Sequence, residues 1–515
     1  MSDYTSKKLA FNNAEQFKES FYEPEPTTIG YVFLGNHIGF TNEDVPDSIN
    51  DTVYDEKTVW DYMFAAKKVT GNDVELVIPK IEWTGNTKYR QFDDTITLSE
   101  LLTSNTTQNL KPIYVMNSER SVYLCVCNNV SSNSTVEPTG KNLTSNGNIA
   151  TADGYLWKYL YNIKPTNKFF TNNWIPAPVS TSKLDYDTSS NISVDGELIK
   201  IIVTNGGSGY IHSTIVVSAF ASGCTILTVS NTTNLAANMA VTGTGIAGGT
   251  HIESIDVPNT KITISAFTIS SGGGTGNYLN VRTRVYIDGD GTTAVGTPTL
   301  SGNSIGKISL TTYGRNYSRA NVAIYGTGTS AAARVVLPPK FGHGFNPAKQ
   351  LGASNVMISM RVGEVDSTEG GIISTDTTYR QYGLLRDPYK YGQTSQANNS
   401  TANSVISQTT DVTLIAGDAY ELDEFVFQGT SGNPTFSGYV NNQGLNEVNL
   451  TKVKGTIAIG SPLKGTETNP SGRTVVTLTN PEFQPYTGDI LFVENVPKIQ
   501  RTEGQAENLK FVVRF

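Results

Sequence analysis

A chain of 515 residues is too long for one ordinary core and implies two to four domains. Three cysteines exclude a disulfide framework, and a net charge of −8, with no basic run longer than Lys7–Lys8 or Lys67–Lys68, excludes broad binding to nucleic-acid backbones. The 48 glycines, with abundant Thr, Asn, Ser, Tyr and Phe, describe short strands joined by tight turns rather than a helical enzyme.

The N-terminal stretch MSDYTSKKLAFNN is polar and lacks the apolar segment of a secretory signal. No apolar run reaches the roughly 18–20 residues needed to cross a bilayer, so a soluble chain is expected. The one clear helix signal is DEKTVWDYMFAAKKVTG (55–71), where Val59, Trp60, Met63 and Phe64 fall on one stripe. Asp55 is expected to cap its first turn, Lys67 and Lys68 to complement its carbonyl end, and Gly71 to stop it.

Beyond Gly71 most of the chain reads as strand. In SVYLCVCNNV both parities are apolar, the mark of a strand covered on both faces. Cys125 and Cys127, two apart, are expected on one face with Cα atoms about 6.6 Å apart. That is the upper edge of disulfide reach, and a reduced pair is expected. In GYLWKYLYNI, Tyr155, Trp157, Tyr159 and Tyr161 are expected to share a face as a packing row.

The stretch 194–340 reads as an inserted Gly-rich β module or modules. IKIIVTNGGSGY (Ile199–Tyr210) aligns with GKISLTTYGRNY (Gly306–Tyr317), each a strand running into a glycine turn closed by a tyrosine. Between Ser218 and Asn280 the only charged side chains are Glu253, Asp256 and Lys261, which suits packing against neighbouring protein or a surface solvated by Thr, Asn and Ser. Residues 341–392 read as a return to the core. QTSQANNSTANS opens a second inserted stretch, 393–480, expected to be a small barrel or sandwich. DILFVENV and NLKFVVRF, within 481–515, supply terminal strands to a core begun by residues 1–193. The expected fold class is mainly β: a multi-domain β-sandwich subunit with few helices and inserted small β modules.

Motifs that would carry chemistry fail on context. GTGIAG (Gly243–Gly248) has the dinucleotide glycine spacing but no helix signal after it, so a glycine turn is expected. DGDG (Asp288–Gly291) opens like a calcium loop, yet the twelfth position is Thr299 rather than a bidentate Glu. A hairpin turn is expected there, with a weak calcium site at Asp288–Asp290 left open. His37, His212, His251 and His343 stand in no zinc-ligand spacing and are expected to be solvated or capped. GGSGY lacks the nucleophile-elbow spacing, and the acid pairs Asp93–Asp94 and Glu421, Asp423, Glu424 are ordinary loop carboxylates. No catalytic, cofactor or metal residue is assigned, and a non-enzyme is expected.

Four ordered blocks carry a resemblance. They are TVWDYMFAAKKVTGNDVELVIPKIEWTGNTKYRQFD, with Trp83 and Tyr89; STVEPTGKN with TADGYLWKYLYNIKP; EGGIISTDTTYRQYGLLRDP; and GDILFVENVPKIQRTEGQAENLKFVVRF. Together they resemble the baseplate wedge protein family encoded by gene 8 in T-even-type phages, in the longer form of cyanophage relatives. The resemblance implies a structural subunit whose terminal segments share a domain, and which pairs with itself as a homodimer and joins other baseplate wedge proteins. It also implies a place in the virion tail baseplate after assembly in the host cytoplasm. No nucleic acid, membrane, cofactor or small-molecule substrate is implied. Trp60, Trp83, Trp157 and Tyr159 are the packing or interface candidates. The alternative is a tail-fibre or receptor-binding protein with carbohydrate-binding β modules; a polysaccharide-degrading tail enzyme stands behind it, because the repeat occurs only twice.

Overall fold

The computed structural model describes residues 6–22, 28–129, 131–141, 148–179, 186–188, 193–362, 373, 377–397, 405–502 and 505–515. The second half of the QTSQANNSTANS stretch and most of EGGIISTD lie outside them. Strand takes 46 % and helix 8 %, so the molecule is mainly β. It forms two compact units, Met1–Val77 with Ala353–Phe515, and Ile78–Gly352.

In the first unit a five-stranded sheet runs in the order Val405–Ser407, Met63–Lys68, Gly30–Gly35, Thr378–Arg386, Asp489–Gln500. Its second element corrects a sequence expectation. The helix is only Val53–Tyr62; Met63 turns extended, and Met63–Lys68 is a strand paired on both edges. Periodicity could not separate the two, because MFAA is apolar in either pattern. Burial on both faces and two rows of ladder hydrogen bonds favour the strand. The cap is Thr52, whose hydroxyl accepts from the Asp55 amide at 3.1 Å; Asp55 lies in the first turn. Lys67 donates to the Arg361 carbonyl at 2.7 Å and serves no helix end. A further helix, Lys7–Glu19, is capped by Ser6 and buries Ala10, Phe11 and Ala14.

The pairing brings distant sequence together. Phe33 lies between Ala66 and Gly383, and Gly383 is paired in turn with Val493. A Cβ at Gly383 would stand 2.5 Å from the Phe33 ring, so only glycine fits beneath it. A second sheet in this unit joins Val74–Pro79, Asn355–Val362 and the terminal strand Glu507–Arg514.

The same unit carries a closed six-stranded barrel, in the order Thr410–Leu414, Glu447–Gly455, Asn433–Gln443, Phe425–Thr430, Pro462–Gly465, Arg473–Thr479. Alternation builds it: Val412 and Leu414 point in and Thr413 out, and they meet Val426, Val440, Val448, Leu463 and Val475 in the core.

The second unit contains a sheet ordered Tyr186–Thr188, Leu156–Ile163, Ser121–Cys127, Tyr114–Met116. Two bulges correct the predicted faces. Tyr159 pairs with Tyr123 and Tyr161 with Val122, leaving Leu160 as an extra residue. One extra residue moves everything beyond it to the other face. Tyr155, Trp157 and Tyr159 therefore share a core with Tyr89, Tyr123 and Cys125, and Tyr161 leaves the row. Val126 is skipped likewise: Cys125 faces Trp157 and Cys127 faces Leu156, so the two free thiols point to opposite faces.

The aligned segments of this unit become Lys200–Ser208 and Ser304–Thr312. Their closing tyrosines, Tyr210 and Tyr317, are buried in one core with Ile201 and Ile308. Each ring lies on a Gly-x-Gly turn far away in sequence: Tyr210 on Gly326 and Gly328, Tyr317 on Gly289 and Gly291. The middle residue of each turn then grips the residue after the tyrosine. Thr327 Oγ1 accepts from the Ile211 amide at 3.0 Å, and Asp290 Oδ1 from the Ser318 amide at 2.9 Å. Within this repeat sits a smaller module of two three-stranded sheets, Ser213–Val216 with Tyr278–Arg282 and Ala240–Thr242, and Ile226–Thr228 with Lys261–Ile264 and Ile252–Asp256. Ile215, Leu227, Met239, Val241, Ile262 and Leu279 fill its core.

Candidate functional site

Three of the four aromatic candidates are core. Trp60 is buried with Val59, Met63 and Phe33, while Trp157 and Tyr159 are fully buried. Trp157 stacks on Tyr155 at 5.4 Å and meets Tyr89 edge-on at 5.5 Å. Trp83 is half-buried against that cluster, and its Nε1 donates to Ser134 Oγ at 3.1 Å. The structure does not bring the four together into one site.

The glycine and acidic motifs are turns and clamps. GTGIAG follows the strand Ala240–Thr242 and closes with the Ile246 amide donating to the Gly243 carbonyl at 3.1 Å; the next element is the strand Ile252–Asp256, not a helix. Asp290 also accepts from the Arg319 amide, and the hydrogen bonds from Ser318 and Arg319 hold its carboxyl down at about 2. Asp93 and Asp94 face Arg334, whose Nη2 and Nη1 reach them at 2.5 and 2.8 Å. Burial pushes Asp93 up, yet the bonds from Arg334 and Thr95 outweigh it and leave it lowered. Two histidines depart from the solvated reading, because each is enclosed by fixed partners. Buried His37 meets Asp423 at Nδ1 and Thr451 at Nε2, both at 2.5 Å.

The other, His343, lines a cavity of mixed character, with Lys158, Glu197, Asn148 and Tyr313 beside Val126, Leu198, Ile199 and Pro338, in which there is room for about one water molecule. Separate pieces of chain meet there, among them the aromatic strand through Lys158, the start of the repeat region through Glu197, and the stretch after its last strand through Pro338 and His343. Gln350 fixes the imidazole. Its Oε1 accepts from the Gly344 amide at 2.9 Å, so its Nε2 donates to His343 Nδ1 at 2.6 Å. The proton of the neutral ring is then on Nε2, which is buried without a protein partner. Burial, with Lys158 nearby, pushes His343 down to about 3. Burial lowers Lys158 as well, and pushes Glu197 up to about 7 against the pull of Lys158. The cavity thus brings together a neutral imidazole and a carboxyl that burial keeps protonated to a higher pH than usual, in a space of about one water. Beside it Lys200 donates to the Val126 carbonyl at 2.8 Å.

Sequence reasoning noticed Asp93–Asp94 but not Arg334, and it missed Glu197 altogether. A lone Glu before a strand carries no local signal; its meaning comes from Lys158 across the fold. Burial raises the Cys125 thiol well above its ordinary range, which makes it a packing group rather than a nucleophile. Among the described residues no group of three or more His, Cys, Asp or Glu could hold a metal, and no helix is long and apolar enough to cross a membrane. A scan of protein-family models and a search of curated proteins found no match to this chain.

Proposed function

We propose that the chain is a structural subunit of a contractile phage tail baseplate, of the wedge class, which holds neighbouring wedge proteins through β-rich interfaces and pairs with a second copy of itself. One observation carries this reading. Strands from three of the four blocks that resemble the family are far apart in sequence yet share sheets in the first unit, while the second block forms the aromatic strand of the other unit. Met63–Lys68 from the first block, Thr378–Arg386 from the third and Asp489–Gln500 from the fourth lie in one five-stranded sheet. Val74–Pro79 and the terminal Glu507–Arg514 flank Asn355–Val362 in another. Three separated blocks that supply strands to shared sheets support a common origin better than matches that never meet in the fold.

The mode of action is mechanical. Rigid sheets present fixed surfaces, and rearrangement on contraction occurs at interfaces rather than inside the subunit. Its residence is the virion baseplate. Co-expression with the products of neighbouring genes, followed by mass measurement of the purified complex, tests the reading. A complex containing this chain and other tail components is expected. A monomer that ignores them and turns over a substrate overturns the proposal, and a trimer that binds host glycans replaces it with the fibre reading.

A further inference from the structure

One end of the barrel is built to hold apolar side chains out in solvent. Arg473, only 5 % exposed, spreads its guanidinium under two loops. Its Nε donates to the Ile415 carbonyl at 3.0 Å, its Nη2 to the Leu445 carbonyl at 3.0 Å, and its Nη1 to the Asp418 carbonyl at 3.4 Å. Ladder-like bonds add to this: the Ile415 amide reaches the Thr474 carbonyl at 2.9 Å, and the Leu414 amide reaches the Asn446 carbonyl at 2.8 Å. Gln443 ties the same loops again through the backbone of Tyr420. Two carbonyls on one guanidinium put the Ile415 and Leu445 backbones side by side. Yet the Ile415 side chain is 56 % and Leu445 89 % exposed.

Leu445 stays almost wholly in water and Ile415 keeps more than half its surface there, so neither belongs to the barrel core. The carbonyl cap explains the arginine; it does not explain two large aliphatic residues at the tips it fixes. Preorganised apolar tips do reduce the ordering cost of binding something else.

Charge identifies the occupant. The barrel segment Thr410–Thr479 carries seven carboxylates against Lys452, Lys454, Lys464 and Arg473, a net charge of −3, and six of the carboxylates precede the first lysine. Three of the six are already committed: Asp423 to His37, Glu424 to the amides of Glu421, Glu467 and Thr468, and Asp411 to Thr409 and Asn449. Asp418, Glu421 and Glu447 are exposed on the Arg473-pinned loops or within two residues of them. Among the described residues of these loops the cation is Arg473, buried under carbonyls.

We propose that this end of the barrel, with Ile415 and Leu445 at its centre and Asp418, Glu421 and Glu447 around them, docks a protein segment that carries lysine or arginine on either side of one or two large apolar side chains. A second copy of this end is disfavoured, since like charges would face each other across the contact. The inference stands on the barrel alone and does not depend on the baseplate reading.

The test uses the full chain and two labelled peptides with the same leucine spacing, one with lysine and one with glutamate at the polar positions. Fluorescence anisotropy is expected to show binding of the lysine peptide only. Affinity should fall at least about tenfold in Ile415→Ser/Leu445→Ser and in Glu421→Gln/Glu447→Gln, and also as salt is raised. Both double variants change exposed side chains, so unfolding temperature should stay at the wild-type value and loss of binding cannot be a folding defect. Lysine-peptide binding that survives Ile415→Ser/Leu445→Ser overturns the proposal, because it reports general attraction to an acidic protein. Absence of binding at millimolar peptide overturns it as well. So does a self-association of the chain that the serine variant abolishes, since that gives the surface to a second copy.

Discussion

The barrel at Thr410–Thr479 and the small module at Ser213–Arg282 are bodies of similar size that solve the same problem differently. Both bury an aliphatic core of valine, isoleucine and leucine. The barrel ties its loops with buried polar side chains: Arg473 at one end, Gln428 bonded to Ala458 and Ser461, and Glu424 accepting three amides. The module uses glycine turns and hydroxyls, chief among them Thr268, which donates to the Ala221 carbonyl at 2.7 Å and accepts from the Cys224 amide at 2.9 Å. The surfaces differ in step. The barrel is acidic; the module has three charged side chains between Ser218 and Asn280, and exposes Ile226, Phe267 and Ile269. A common interior is therefore compatible with opposite exteriors, and partner choice resides in the exterior.

The largest way to break the comparison is Arg473→Ala. It leaves the Ile415 and Leu445 carbonyls without their side-chain donor and is expected to cost about 3 kcal/mol, read as lost amide-exchange protection in the barrel while the module is unchanged. Next, Thr268→Val keeps shape but removes both bonds. We expect about 2 kcal/mol, confined to exchange protection in the module.

A smaller effect belongs to the root of the repeat region that carries the module. Glu197 is raised to about 7 in the fold from an ordinary 4.5, so the folded form holds a proton that the unfolded chain has released. Its contribution is fully present below pH 4.5 and is lost as pH rises to 7 and beyond. For a half-buried group, screening reduces this to about 1–2 kcal/mol. Denaturant titrations at pH 5 and pH 8 should show the difference in wild type and not in Glu197→Gln. Smallest is Leu445→Ser, expected within about 0.5 kcal/mol of wild type by the same titration. A larger loss would mean that the leucine belongs to the fold.

The mainly β, modular architecture was legible because glycine and hydroxyl residues punctuate short apolar runs throughout. The twin segments ending in Tyr210 and Tyr317 were legible too, although nothing local pointed each ring to its distant glycine turn. Period counting failed where the chain adds a residue. Leu160 and Val126 each shift the register by one, and no composition signal marks a bulge. It failed again at Met63, where one apolar run suits both helix and strand, and the neighbours on either edge decide. The first helix, Lys7–Glu19, was missed, because its apolar face of Ala10, Phe11 and Ala14 is short and set in a polar stretch. The cavity was illegible for another reason: Lys158, Glu197 and His343 are each ordinary until the fold assembles them.

Both small bodies begin and end on paired strands. Ser213 lies opposite Val281, and Asp411 lies opposite Thr479. Residues so paired are about 5 Å apart at Cα, close enough for a turn of two residues to reconnect the chain if everything between were cut away. Each body is in effect a detachable cassette on a two-point hinge. The barrel carries a further tie, because buried His37 takes both its partners, Asp423 and Thr451, from it, so cutting the barrel away would strand an imidazole in the unit it leaves.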